Sequence, residues 1–196
     1  MNRAVPINLY IVKLHGWLNR RQDDIWALIL DIGKRWYLYG PVIAIWALAY
    51  IRLLIDPTPH VPLLFNWTPS LPYTVAWMDR GQAKYTRGNY VIFSFSGEAQ
   101  THYPGLKKQP FFKIIRGVPG DVITLNDRNV LINGQPVGFA KPFAFDRRPL
   151  QPIQAGVIPD GYFYMQGTDA NSFDSRYRSA GLVRAEYIIG AVTPIW

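Results

Sequence analysis

Residues 110–134 read PFFKIIRGVPGDVITLNDRNVLING. Aromatic and β-branched residues run from Phe111 to Ile115, the stretch Gly117-Val118-Pro119-Gly120-Asp121 supplies turn chemistry, and Val122 to Leu125 and Val130 to Ile132 are two further short apolar runs. Runs of this length bounded by Gly, Pro, Asn and Asp predict strands at 110–117, 121–126 and 129–134, with Asn126-Asp127-Arg128-Asn129 closing the last two as a hairpin. The pattern returns at 89–95, 161–167 and 186–195, and no long segment of 3.6-residue period follows residue 60. The expectation is a mainly β, coiled antiparallel sheet domain. Residues 136–160, rich in Pro, Gly and charge, predict an excursion that hangs off the sheet.

Upstream the chemistry changes. From Trp36 to Ile51 there are 16 residues without a charge, and apolar residues resume after Arg52 as Leu53, Leu54 and Ile55. As a helix, 20 residues span about 30 Å, the thickness of a hydrocarbon layer. Trp36, Tyr37, Tyr39 and Tyr50 fall where interfacial aromatics sit, and the basic residues Arg3, Lys13, Arg20, Arg21, Lys34 and Arg35 precede the run. The expectation is an uncleaved signal anchor at 36–55 in the bacterial inner membrane, with the N-terminus cytoplasmic and the sheet domain periplasmic. Ala47-Leu48-Ala49 has the small-x-small form of a cleavage site, but the 35 preceding residues and the apolar continuation favour retention. Residues 23–33, DDIWALILDIG, predict a short amphipathic helix with an Asp cap and a closing Gly33. The organisation expected is therefore a cytoplasmic basic segment at 1–35, the anchor, a linker at 56–65 marked by Pro57, Pro59 and Pro62, and an exported domain at 66–196.

Lys and Arg number 21 against 13 Asp and Glu, a net charge of +8 that divides as +3 over residues 1–35 and +5 from Arg52 onward. With no dense basic run in the sheet region, nucleic acid is not an expected partner. The absence of cysteine excludes disulfides, thiolate metal sites and cysteine nucleophiles. His15, His60 and His102 share no metal-ligand spacing, so no zinc site is expected.

Three segments carry candidate chemistry. In NWTPSLPYTVAW, residues 66–77, Ser70 stands between Pro69 and Pro72, where neither helix nor central strand forms, so its hydroxyl sits on a rigid irregular loop. A proline-rich turn after an anchor has the same composition. In FFKIIRGVPGD, residues 111–121, Lys113 has apolar neighbours along a strand. Desolvation favours the neutral amine, and a neutral lysine can take the proton of a serine hydroxyl during attack on a carbonyl. An edge-strand lysine pointing into water would read identically. The third segment, TDANSFDSRYRSAG at 168–181, is dense in hydroxyls; Asp174 and Arg176 are spaced for an ion pair, and Ser172 for a hydrogen bond to an amine.

Taken together, the anchor, the serine motif, a K-x-x-x-G-x-P-G-D box and an N-S-x-D-S-R-Y box resemble the Ser-Lys signal peptidase family, the type I leader peptidases. The Asn66-x-Thr68-x-Ser70-x-Pro72 spacing is most similar to the TraF-type conjugative-transfer branch. The resemblance covers the anchor and roughly residues 62–196. It implies that Ser70 is the nucleophile and Lys113 the general base. It also implies that Thr68 joins the Ser70 N–H in the oxyanion hole, that Ser172 orients the lysine, and that Asp174 and Arg176 form a supporting pair. The implied activity is a membrane-bound serine endopeptidase that removes signal peptides from exported precursors without a cofactor. The implied substrate is a propilin or other conjugation-apparatus protein, with the acyl-enzyme resolved by water or, in some members, by the pilin's own amine. Membrane lipid and the conjugation or secretion apparatus are the further partners implied. A general leader peptidase is a second enzymatic reading; a catalytically idle anchored β module that scaffolds such an apparatus is the reading from a different class. Three departures stand out: Thr74 where that branch has glycine, Arg178-Ser179-Ala180 before Gly181, and a box around Lys113 that reads K-I-I-R rather than K-R-x-x.

Overall fold

A computed structural model describes the backbone of residues 7–82 and 84–196, and the side chains of Trp17 and of Arg21 onward except residues 53, 54 and 83. Arg3 and the side chains of Lys13, Arg20, Leu53 and Leu54, cited above for the anchor and its flank, lie outside the described part. The chain divides into two compact units, Met1–Ile55 and Asp56–Trp196.

The first unit corrects one expectation. Helix α1 runs over Ile7–Lys34, so residues 23–33 are its last turns and not a separate short helix. No proline interrupts the sequence between Pro6 and Pro41, and Gly16 alone does not stop a helix. The break comes at Arg35, whose φ of −115° and ψ of 36° leave the helical region; its guanidinium stays paired with Asp31 at 3.1 Å. Helix α2 spans Trp36–Tyr50, 15 residues or about 22 Å. The chain then widens into a π-helical turn at Ile51–Ile55. Among the described residues no helix is long and apolar enough to cross a membrane; residues 36–55 are divided between α2 and the π-helical turn. None of the α2 residues is buried.

The second unit holds eleven strands among its described residues. They are β1 (Leu63–Phe65), β2 (Val75–Asp79), β3 (Tyr90–Ser94), β4 (Pro110–Gly117), β5 (Val122–Asn126), β6 (Asn129–Ile132), β7 (Gln135–Phe139), β8 (Gly156–Val157), β9 (Tyr162–Gln166), β10 (Val183–Arg184) and β11 (Ile188–Pro194). A seven-stranded sheet has the order β1-β2-β11-β3-β4-β9-β10, and a four-stranded sheet the order β7-β6-β5-β8, with every registered pair antiparallel. The expected linker at 56–65 ends in strand β1, which pairs with β2 from Leu63↔Trp77 to Phe65↔Val75. The expected excursion at 136–160 likewise does not hang free, since β7 and β8 complete the smaller sheet.

Alternation along the strands distributes the core. On one face of the large sheet Val91, Phe93, Ile115, Phe163 and Met165 cluster; on the other Leu64, Ala76, Ile92, Ile114 and Val192 do. The turn from β4 to β5 is locked by Asp121, whose two oxygens accept from Arg87 Nη2 (2.7 and 2.6 Å) and also from the Val118 N–H (2.8 Å) and Asn133 Nδ2 (2.8 Å). Gly120 in that turn has φ +86°, a conformation that costs glycine least.

Candidate active site

Ser70 sits in the loop that joins β1 to β2. Pro69 and Pro72 keep that loop out of the ladder, and Asn66 braces it from within: its backbone N–H donates to the Thr74 carbonyl at 2.8 Å. Its Nδ2 donates to the Tyr73 carbonyl at 3.0 Å and the Leu71 carbonyl at 3.4 Å. Its Oδ1 accepts the Thr68 N–H at 3.2 Å and the Thr68 hydroxyl at 2.9 Å. The hydroxyls of Thr68 and Ser70 are 2.7 Å apart. Leu71 and Tyr73 anchor the loop in the core. Thr74 is not among the described residues with a positive φ, so the absence of glycine there costs no backbone strain.

Lys113 lies in β4, across from Val91 of β3, and is 4% exposed. Its ammonium stands 5.4 Å from the Phe111 ring centroid and has no hydrogen-bond partner among the described residues, Ser70 and Ser172 included. Burial pulls its pKa down to about 8; attraction to Asp174 works upward and repulsion from Arg176 downward.

The ladder between β4 and β9 places the remaining parts. Ile114 pairs with Gln166, so one step further Lys113 comes opposite Gly167, on the same face of the sheet. A Cβ at Gly167 would fall on the Ser172 hydroxyl and lie 2.7 Å from the Ser70 carbonyl oxygen. That carbonyl accepts the Thr168 N–H at 2.8 Å and the Thr168 hydroxyl at 3.3 Å. The Ser172 side chain and the Ser70 backbone carbonyl thus meet where glycine leaves room, beside the ladder position that faces Lys113.

The loop after β9 is held by a buried ion pair. Arg176 meets Asp174 with two parallel bonds, Nε to Oδ1 at 2.8 Å and Nη2 to Oδ2 at 2.9 Å, and the two side chains are 4% and 0% exposed. Arg176 also donates to the carbonyls of Ser172 (2.8 Å), Asp169 (3.0 Å) and Ala170 (3.3 Å), while Asp174 accepts the Gly167 N–H at 3.0 Å. Burial opposes the guanidinium charge, but hydrogen bonding and attraction to Asp174 outweigh it and raise the Arg176 pKa. Ser172 Oγ is buried and unpartnered.

Of the six residues singled out in the sequence, Thr68 touches Ser70, Asp174 touches Arg176, Ser172 lies against Gly167, and Lys113 feels the charges of Asp174 and Arg176; no hydrogen bond joins Lys113 to Ser70. The structure adds three that sequence reasoning missed. Gly167 acts through close approach, Thr168 mainly through its backbone N–H, and Asn66 through its side-chain amide; only the place of Asn66 in the serine motif hinted at its role. Among the described residues no group of three His, Asp or Glu is arranged to hold a metal. The arrangement suits acyl transfer: a hydroxyl, an amine whose neutral form is accessible near neutral pH, and hydroxyl and N–H donors beside the attacking oxygen.

The profile described as signal peptidase, peptidase S26, matches residues 36–196. The conjugal transfer protein TraF of Agrobacterium fabrum is 30% identical over 89 residues, 44% of this chain and 49% of that protein, so the chain spans about half the length of this curated relative. A signal peptidase I from Enterococcus faecalis superposes with a TM-score of 0.34 at 22% identity, covering 56% of this chain and 97% of that chain.

Proposed function

Because the chain belongs to the S26 signal peptidase family of serine endopeptidases, we propose that it removes signal peptides from exported precursors, with Ser70 as nucleophile and Lys113 as general base. The observations that support this reading are a buried Lys113 whose pKa is lowered to about 8, and a Ser70 loop whose backbone carbonyl meets the Ser172 side chain at Gly167, the ladder position opposite that lysine.

In the proposed mechanism Ser70 Oγ attacks the scissile carbonyl carbon and its proton passes to the neutral Lys113 amine. Ser172, whose hydroxyl has no other partner, turns that amine toward the serine. Charge developing on the carbonyl oxygen is met by the Ser70 N–H and the Thr68 hydroxyl, and one such donor is typically worth about 2.7 to 4 kcal/mol. Collapse breaks the peptide bond, Lys113 returns the proton to the leaving amine, and an ester remains on Ser70. Water, or the substrate's own amine, then releases the acyl group. Catalytic hydrogen bonds are often long before substrate arrives, which accounts for the unpaired Lys113 ammonium.

The likeness to a conjugal transfer protein supports a propilin or another conjugation-apparatus protein as the precursor. For location, the reading is a membrane anchor formed by α2 together with the turn Ile51–Ile55, cytoplasmic at its N-terminal end. Its support is the uncharged run and the exposure of Ile45, Trp46 and Leu48, at 66, 73 and 66%. Extraction of membranes with alkaline carbonate tests it: a full chain that appears in the supernatant has no integral anchor.

The test of function is co-expression of a propilin with the wild-type chain or Ser70→Ala, followed by intact-mass analysis. Wild type is expected to give a shortened product, linear or, one water lighter, cyclic, and Ser70→Ala only precursor. Equal processing by Ser70→Ala removes Ser70 as nucleophile, and retained function in both Ser70→Ala and Lys113→Ala leaves the scaffold reading.

A further inference from the structure

The polar chain inside the serine loop has a direction that donor and acceptor counting fixes. Asn66 offers two N–H donors at one end and a carbonyl acceptor at the other. The two groups facing one end are the Leu71 and Tyr73 carbonyls, which only accept, so the amide nitrogen must face them. Oδ1 therefore faces Thr68 and accepts from both its N–H and its hydroxyl. Thr68 has a single hydroxyl proton. With that proton committed to Asn66, its oxygen is left only to accept, and the donor 2.7 Å away is the Ser70 hydroxyl. The resting order is Ser70 O–H to Thr68 O–H to Asn66 Oδ1.

This order is the reverse of what attack requires. During attack the Ser70 proton must leave toward Lys113 and the Thr68 proton must turn to the charged carbonyl oxygen. An oxyanion draws a hydrogen bond roughly twice as strong as a neutral amide oxygen does, so it takes the Thr68 proton from Asn66 only once charge has developed. Asn66 Oδ1 keeps the Thr68 N–H meanwhile, and no buried acceptor is orphaned.

We infer that Asn66 is a positioning residue for the reaction: it parks the Thr68 hydroxyl proton in the resting enzyme, holds that hydroxyl beside Ser70, and yields it to the transition state. The inference rests on Ser70 as nucleophile and Thr68 as oxyanion donor. A general structural brace would hold the loop through Leu71 and Tyr73 but would not act through the Thr68 hydroxyl.

A double-mutant cycle separates the two roles. The full-length wild type, Asn66→Ala, Thr68→Val and the double variant are assayed in detergent on a fluorogenic peptide with the Ala-x-Ala pattern before the scissile bond, with Ser70→Ala as control. Thr68→Val is expected to lower kcat about 100-fold. Asn66→Ala is expected to lower kcat at least about tenfold with KM within about twofold, and to lower it no further when Thr68→Val is already present, because residues acting as a unit are not additive. Losses that multiply in the double variant overturn the role of Asn66 while leaving Ser70 in place. An active Ser70→Ala overturns both. If Asn66→Ala does not fold, Asn66→Ser carries the same cycle, since its small hydroxyl leaves space for water beside the Leu71 and Tyr73 carbonyls.

Discussion

The backbone carbonyl of Ser70 accepts the amide proton of Thr168 at 2.8 Å, tying the serine loop to the end of β9. The residue before Thr168 is Gly167, and a methyl group there would press on that same carbonyl from 2.7 Å. Backbone held by a hydrogen bond cannot step aside cheaply, so Gly167→Ala must displace the loop. We expect kcat to fall about 100-fold, the usual cost of moving a reacting group by 1 Å, with circular dichroism unchanged. Full activity in Gly167→Ala would mean that this contact does not set the position of the serine.

Lys113 titrates at about 8 because burial disfavours its charge. Only the neutral amine takes a proton, so kcat/KM is expected to climb with unit slope from about pH 6 to pH 8 and to level off above. Lys113→Arg retains the charge without a usable base and should abolish turnover. A rate that does not vary over that interval, in protein shown to be folded, rules out Lys113 as the base.

The same group carries a stability cost of definite sign. Its folded pKa of about 8 lies below the ordinary 10.5, so between these values the unfolded chain binds the proton more readily and stability rises with pH. Below pH 8 the cost is fully present. At 1.36 kcal/mol per unit, Lys113→Met should stabilise the domain by roughly 3 kcal/mol at pH 7, with the gain fading as pH nears 10.5. Urea melts at pH 7 and pH 10 measure it; a gain equal at both would show that Lys113 is not desolvated.

Asp174→Asn leaves the Arg176 guanidinium buried without its counter-charge. Breaking one partner of a buried pair costs about 3 to 5 kcal/mol. Asp174 also pulls the Lys113 pKa upward while Arg176 pushes it down, so the acid limb of the pH profile should move below 8. Thermal melts and the rate profile of one preparation read both; an acid limb that stays at 8 would show that Asp174 does not act on the lysine.

What was legible in the sequence follows from how local each signal is. Strand β4 (Pro110–Gly117) matches its expectation end to end, because an aromatic and β-branched run is bounded by Pro and Gly. The β5–β6 hairpin was readable because Asn126 to Asn129 carry their own turn preference, and Asp127 does adopt φ +53°. Strand β1 was not, because Leu63–Phe65 is only three residues long and takes its conformation from β2. Pro136 hid β7, yet β7 is an edge strand, where a missing N–H is tolerated. In the site, side-chain chemistry could be read from residue type and spacing. The need for Gly167 could not, because it is created by Ser70, which only the fold brings near.

The position of β11 has a consequence for biogenesis. It lies between β2 and β3, pairing Pro194 with Ala76 and Ala191 with Val91, so the strand that follows the serine loop lacks its inner neighbour until residues near 194 have been synthesised. Contacts this distant in sequence close late and slowly. The sheet beside the serine loop therefore closes only after residues near 194 have been made, and the loop takes its final place late in folding.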